Sequence, residues 1–177
     1  MKIAVIPARG GSKRIPRKNV RPFHGRPMIS WPIAAALETG LFDHVIVSTD
    51  DDEIAQVAEA AGATAPFRRP PELADDFTGV IPVIAHAMQE MQRITGQSAE
   101  LVCAIYATAP FLSAADITRG HDALIEAPQQ EYAISVTPFA FPVQRALKAV
   151  HSESGPGLAP MYPEFIGSRS QDLEEAF

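Results

Sequence analysis

The chain has 177 residues, a formal net charge of −6 and a hydrophobic content of 46%. This length and content suffice for one domain with a buried core, and no apolar run reaches the roughly 18 residues of a membrane span. Its single cysteine, Cys103, excludes an internal disulfide framework and a cysteine-rich metal cluster. The acidic balance argues against broad binding of nucleic acid, and no secretory signal is recognisable, so we expect a cytoplasmic protein.

Positive charge is concentrated at the start of the chain. Residues 1–27 carry eight of the fifteen Lys and Arg residues and no Asp or Glu, and their centre reads IPARGGSKRIPRKN at 6–19. Glycines let a backbone approach a ligand closely, and the basic side chains supply charge, so the segment predicts a phosphate-binding loop. The spacings of the P-loop and of the dinucleotide fingerprint are both absent. A solvated basic loop and a nucleic-acid-binding arm are the alternatives.

Strand and helix patterns alternate along the chain. Strands are predicted at 2–7, 44–49, 101–106 and 132–137. Helices are predicted at about 33–39, 52–61, 78–94 and 116–126, with Ser30 as the first N-cap and Gly40, Gly62 and Gly96 as stops. Residues 66–77 predict an irregular connection, and 154–157 a hairpin turn or exposed loop. This order indicates an α/β fold with a mostly parallel sheet.

Polar segments follow each of the four predicted strands, at 8–19, 49–52, 107–110 and 138–145. Ligands of open parallel sheets bind at the carboxyl ends of the strands, so these segments are expected to converge. The acid run at 50–52 fits a helix N-terminus better than a metal site, although a metal site stays open.

The motif at 6–19 resembles the opening of the CMP-sugar synthetases, the cytidylyltransferases that activate sialic acids and related nonulosonic acids. The similarity continues in VSTD at 47–50, RPPELADD at 69–76, ATAPFL at 107–112 and RSQDL at 169–173. Within this family, the segments IYATAP at 105–110, FPVQRAL at 141–147 and SQDLEEAF at 170–177 are most similar to the subfamily that acts on pseudaminic acid. The resemblance implies one three-layer, Rossmann-like nucleotidyltransferase domain over residues 1–177, with a mostly parallel central sheet.

The resemblance also implies site residues by position. The nucleotide-binding set is Ala8, Arg9, Gly10, Gly11, Ser12, Lys13, Lys18, Asn19, Arg69, Asp76 and Thr78. Arg9 and Lys18 are expected to contact the triphosphate and to be catalytic. The set expected to bind the sugar acid is Tyr106, Thr108, Gln144, Arg169 and Gln171. An arginine at 169 suits the acceptor carboxylate, since guanidinium groups bind carboxylates with two parallel hydrogen bonds.

The implied reaction is attack of the sugar's anomeric hydroxyl on the α-phosphorus of CTP, with release of pyrophosphate. The resemblance further implies Mg²⁺ or another divalent cation, whose ligands it leaves unassigned, and a homodimer. Residues 138–163 are the candidate dimerisation or lid excursion. The chain ends before the family's C-terminal segment, which carries a metal-binding aspartate. A catalytically silent CTP-binding protein is therefore one alternative, and an enzyme for N-acetylneuraminic or legionaminic acid is another.

Overall fold

A three-stranded parallel sheet lies at the centre of residues 1–131 in the computed structural model, which describes residues 1–152 and 155–177. The strands of this part are β1 (Lys2–Pro7), β2 (Pro22–Phe23), β3 (Arg26–Pro27), β4 (His44–Ser48) and β5 (Leu101–Ala104). The central sheet has the order β4-β1-β5, and β1 pairs in parallel with both neighbours, while β2 and β3 form a separate short hairpin. The helices are α1 (Ser30–Glu38), α2 (Asp52–Ala60), α3 (Val80–Thr95) and α4 (Ala114–Glu126).

Strand β1 is buried on both faces, as its unbroken apolar sequence predicts. Ile3 and Val5 pack into a cluster with buried residues of α3, whereas Ala4 and Ile6 pack into a second cluster with α1, α2 and α4. All four side chains are fully buried. Because successive side chains of a strand point to opposite faces, the sheet lies between two helical layers. The predicted α/β fold with a parallel central sheet is confirmed.

The helix ends follow local sequence chemistry in most cases. The side chain of Asp51 accepts the Ile54 N–H at the start of α2, and Gly96 ends α3 with a φ of 74°. The prediction of Ser30 as the N-cap of α1 is wrong, because Ile29 already has helical dihedral angles and its carbonyl accepts the Ile33 N–H. No helix of the described ranges has both the length and the apolar character that crossing a bilayer requires.

Residues 132–177 form a second compact unit built around an antiparallel hairpin. Its strands are β6 (Leu147–Ser152) and β7 (Gly155–Pro160). The turn predicted at 154–157 falls partly on residue 154, which lies outside the described residues, while residues 155–157 belong to β7.

The strand predicted at 132–137 is wrong. These residues pair with no strand among those described, and Tyr132, Ile134 and Val136 are all exposed. Alternating bulky residues favour an extended chain, but a strand also needs a neighbour to satisfy its N–H and C=O groups. The fourth polar segment, 138–145, therefore does not follow a strand.

Candidate functional site

The loop that follows β1, residues 8–19, is the basic loop. It is fixed near its start, where the Ala8 N–H donates to the Ser48 carbonyl at 2.9 Å and the Gly10 N–H donates to Oδ1 of Asp50 at 2.9 Å. The buried amide of Asn19 donates from Nδ2 to the Arg9 carbonyl at 3.0 Å and so joins the two ends of the loop. The carboxyl ends of β1 and β4 thereby bring the first two polar segments together.

A second attachment involves Arg17, which has a left-handed backbone with a φ of 54°. Its guanidinium donates to both carboxylate oxygens of Asp51, at 2.5 Å and 3.1 Å, and also to Glu53. The hydrogen bonds from Arg17 hold the pKa of Asp51 below its usual range. The Arg17 guanidinium is thus bound to the start of α2, although the sequence predicts phosphate binding for the basic side chains of this loop as a group.

A cavity of about 710 Å³ opens beside the basic loop. Its lining has five basic side chains and one carboxylate, together with an apolar wall. The lining residues are Arg9, Ser12, Lys13, Arg14, Ile15, Lys18, Arg21, Pro22, Phe23, Met28, Asp76 and Thr108. A concave surface with four more positive than negative groups concentrates anions, and several cations of different reach suit a polyphosphate.

The cations of the cavity differ in their partners. Nη1 of Arg9 lies 2.9 Å from Oδ1 of Asp76, and Lys13 pairs with the other oxygen of the same carboxylate. The contact with Lys13, followed by that with Arg9, holds the pKa of Asp76 below its usual value. In the part of the chain that the structure describes, no carboxylate forms an ion pair with Arg14 or Lys18.

Ser12 contributes a polar atom without a partner. Its Oγ is buried and makes no hydrogen bond to any of the described residues, and the residue lines the cavity. Because buried hydroxyl groups are almost always hydrogen-bonded, this atom favours a site that a ligand oxygen completes.

Other predicted nucleotide-binding residues are not part of the cavity lining. Ala8 and Asn19 are the buried first and last residues of the basic loop. Arg69 is 6% exposed, and its guanidinium donates to the side chain and the carbonyl of Ser48. Burial lowers the pKa of Arg69. The Thr78 hydroxyl donates to the Glu72 carbonyl at 3.2 Å, which closes the turn that carries Asp76.

The third polar segment follows β5 and reaches the cavity through Thr108. Tyr106 is 70% exposed and is not part of the lining. Phe23, on the apolar wall, meets the ring of Phe111 edge-to-face with centroids 5.9 Å apart, and its carbonyl accepts the indole N–H of Trp31 at 3.0 Å. These contacts hold Phe23 in place on the apolar wall.

The remaining predicted sugar-binding residues lie in the second unit. Gln144 and Arg169 line a cavity of about 440 Å³ within residues 132–177, whereas Gln171 is exposed outside it. Arg169 forms two hydrogen bonds to Asp172, at 2.8 Å and 3.1 Å. Nε2 of Gln144 donates to the Glu174 carbonyl at 2.9 Å, whereas Oε1 of Gln144 is buried without a hydrogen-bond partner among the described residues.

Sequence reasoning missed part of the site. The lining residues Arg21 and Phe23 lie just beyond the recognised motif, and a basic residue followed by Pro-Phe gives no signal of its own. The sequence favours helix caps or a metal site for Asp50 and Asp51, whereas in the structure both anchor the basic loop. Their negative charge, against eight cations in the first 27 residues, was the signal that could have suggested this contact.

The described residues contain no cluster of three His, Cys, Asp or Glu side chains suited to a metal ion. The one carboxylate of the cavity lining, Asp76, is already paired with two cations.

Comparison with known proteins gives matches over nearly the whole chain. A family model described as cytidylyltransferase matches residues 3–152. The chain is 40% identical to the pseudaminic acid cytidylyltransferase of Campylobacter jejuni subsp. jejuni serotype O:2, over 99% of this chain and 73% of the relative. It is also 42% identical to the CMP-N,N'-diacetyllegionaminic acid synthase of Legionella pneumophila, over 52% of this chain and 40% of that protein.

Solved structures support the fold. A CMP:2-keto-3-deoxy-manno-octonic acid synthetase complexed with CTP matches with a TM-score of 0.60 and 24% identity, over 72% of this chain and 48% of that chain. A cytidylyltransferase from Leptospira borgpetersenii matches with a TM-score of 0.56 and 19% identity, over 71% of this chain and 49% of that chain. The chain spans about half the length of these two structures, and the likeness establishes the nucleotidyltransferase fold.

Proposed function

The chain belongs to the cytidylyltransferase family, and on that premise we propose that it transfers CMP from CTP to a nonulosonic acid, with release of pyrophosphate. Pseudaminic acid is the proposed acceptor, because the relative that is 40% identical over 99% of the chain is named for that sugar. The observation that carries the proposal is the cavity beside the basic loop, which places five cations around a space large enough for a nucleotide.

The chemistry requires charge neutralisation and alignment more than covalent help from the protein. The acceptor's anomeric hydroxyl oxygen forms a bond to the α-phosphorus as the bond to the bridging oxygen of pyrophosphate breaks, and the hydroxyl proton is released. We assign Arg9 and Lys18 to the triphosphate, since both line the cavity. Lys18 is available in the described structure, whereas Arg9 must exchange Asp76 for a phosphate oxygen.

We propose that Mg²⁺ arrives as part of the substrate, bound to CTP. The described residues do not form a resident metal site, because the cavity has a single carboxylate and its oxygens are paired with Arg9 and Lys13. Mg²⁺ commonly keeps several waters and binds substrate phosphates with few protein ligands.

We also propose a cytoplasmic homodimer. A cytoplasmic location would give the enzyme access to CTP, and the association is supported by apolar side chains exposed in the candidate excursion at 138–163, among them Phe141, Leu147 and Leu158. Light scattering on the wild-type protein and on Leu158→Asp tests the dimer, with Ile166→Asp, an exposed residue outside the excursion, as the control. A wild-type mass of one chain contradicts the dimer, and equal masses for both variants contradict the assignment to the excursion.

The function is tested by following pyrophosphate release in Mg²⁺ and CTP with pseudaminic, legionaminic or N-acetylneuraminic acid in separate reactions, alongside calorimetric binding of CTP. Release with pseudaminic acid at the highest kcat/KM supports the proposal. Preference for another acid transfers the assignment to that acceptor. CTP binding without release on any acid identifies a silent nucleotide-binding protein, and salt-dependent binding of short RNA without CTP binding contradicts the phosphate site itself.

A further inference from the structure

Asp51 lies at the centre of the contacts that hold the basic loop, although it does not line the cavity. Its Oδ1 accepts the Ile54 N–H at 3.0 Å and so caps α2, and its own N–H donates to the Thr49 hydroxyl at 3.1 Å. Asp51 is therefore fixed to the end of β4 and the start of α2 independently of its contacts with the basic loop.

The carboxylate contacts the loop near both of its ends. At one end, a Cβ added to Gly10 would lie 2.7 Å from Oδ2 of Asp51 and 3.0 Å from its Cβ, so the loop backbone passes directly against this side chain. At the other end, the guanidinium of Arg17 binds both oxygens of Asp51. Between these contacts lie residues 11–16, which include Ser12 and Lys13 of the cavity lining.

Arg17 makes this contact from an unfavourable backbone conformation, because a residue with a side chain rarely adopts a φ of 54°. The backbone then continues to Val20 and Arg21, whose N–H groups both donate to the Arg17 carbonyl, at 3.1 Å and 3.0 Å. Arg17 therefore joins this turn of the backbone to the carboxylate of Asp51.

We propose that Asp51 is a positioning residue for the phosphate site: by binding Arg17 and packing against Gly10, it holds the basic loop in the shape that presents Ser12 and Lys13 to the triphosphate. The inference rests on the proposed function for the identity of the ligand. Asp51 acts through the loop, because its carboxylate faces Arg17 and α2 and is absent from the cavity lining.

Substitution of Asp51 distinguishes a positioning role from a purely electrostatic one, because the two roles predict opposite changes in anion affinity. Removing a negative charge close to an anion site strengthens anion binding if only Coulomb's law acts. Loss of the contact that anchors the loop weakens anion binding. Asp51→Asn keeps the size and the capping ability of the side chain but removes the charge that binds Arg17.

The matched control is Asp52→Asn, which removes the same charge one residue along the chain. Asp52 is exposed and pairs with Arg68, at 2.9 Å, away from the basic loop. We expect Asp51→Asn to raise the KM for CTP and the Kd for pyrophosphate about 10-fold, with an unchanged KM for the sugar acid, and Asp52→Asn to change each less than twofold. Circular dichroism at the assay temperature confirms that both variants are folded.

A double-mutant cycle with Arg17→Ala supplies the second measurement. If Arg17 acts through Asp51, the double variant binds pyrophosphate no more weakly than the worse single variant. If Arg17 instead contacts the phosphates, the two losses multiply, and the proposal is overturned. Wild-type or tighter binding by folded Asp51→Asn also overturns it.

Failure of the proposed function gives a different result. A wild-type chain that binds neither CTP nor pyrophosphate contradicts the phosphate site. The positioning of the loop then still has its own readout, which is the protection of the 10–17 amides from hydrogen exchange. We expect this protection to fall in Asp51→Asn and not in Asp52→Asn, and equal protection in the two variants overturns the inference.

Discussion

Asp76 forms ion pairs with two cations of the proposed triphosphate site, so removing its negative charge should strengthen phosphate binding. Nη1 of Arg9 lies 2.9 Å from its carboxylate, and Lys13 binds the same group. A phosphate that takes these cations must first displace the carboxylate. Asp76→Asn keeps the shape of the side chain and removes the competing charge, so more of the attraction of Arg9 and Lys13 becomes available to the ligand.

The exposure of the three side chains sets the size of the effect. Asp76 is 32% exposed, Arg9 30% and Lys13 79%, so both pairs are screened by solvent. Such pairs change an equilibrium by roughly 1.5- to 5-fold each, so loss of both pairs predicts a Kd for pyrophosphate about 2- to 25-fold lower in Asp76→Asn. The change should shrink as salt is added, since solvent-exposed charges are screened over about 8 Å at physiological ionic strength.

The assay is calorimetric titration with pyrophosphate in metal-free buffer containing a chelator, at low and at high salt. Asp122→Asn is the control, because it removes the same charge from an exposed residue of α4 that pairs with His121. Unchanged or weaker binding by Asp76→Asn would refute the competition. Weaker binding would show instead that Asp76 is needed to order this wall of the cavity.

Three further predictions concern the basic loop. Arg9→Ala should weaken CTP binding or turnover at least about tenfold, the cost of one charge-assisted hydrogen bond, whereas Arg119→Ala on the outer face of α4 should leave both unchanged. Gly10→Ala should lower the free energy of unfolding by about 1–3 kcal/mol, because the new Cβ meets the fixed carboxylate of Asp51. Gly11→Ala, with nothing within 4 Å of the added atom, should not destabilise, and equal effects in urea titrations would contradict this reasoning. The lowered pKa of Asp51 means that its ionised form stabilises the folded state fully above about pH 5, and that this stabilisation is lost as the pH falls through the folded-state pKa. The stability difference between wild type and Asp51→Asn should therefore narrow from pH 5 towards pH 3, and a difference that widens on acidification contradicts the assignment.

The fold could be predicted where the local signal and the tertiary role coincide. The apolar run of β1 is buried on both faces because no polar side chain interrupts it, and Gly96 ends α3 because its left-handed backbone suits glycine. The segment at 132–137 has an equally good strand pattern, but strand formation depends on a partner that sequence periodicity does not supply. Local pattern therefore located β1 and α3 and misassigned this segment.

The candidate site, like the fold, could be predicted from the sequence only in part. The sequence identified the basic loop, since its charge and glycines are contiguous, but it could not assign partners to the individual cations. Arg17 is bound by Asp51 and Glu53, and Arg9 and Lys13 share Asp76, so each cation's role depends on acids at least 34 residues away in the chain.

These pairings separate two uses of charge that look identical in the sequence. The bond from Arg17 to Asp51 joins the loop to a carboxylate that is itself fixed by α2, and a ligand gains nothing by breaking it. The bonds to Asp76 join the loop to an exposed turn and lie on the cavity, where a phosphate offers the same cations a stronger partner. In the basic loop the two kinds of contact therefore have different consequences: the bond from Arg17 to Asp51 fixes the backbone, whereas the bonds from Arg9 and Lys13 to Asp76 can be exchanged for bonds to a phosphate.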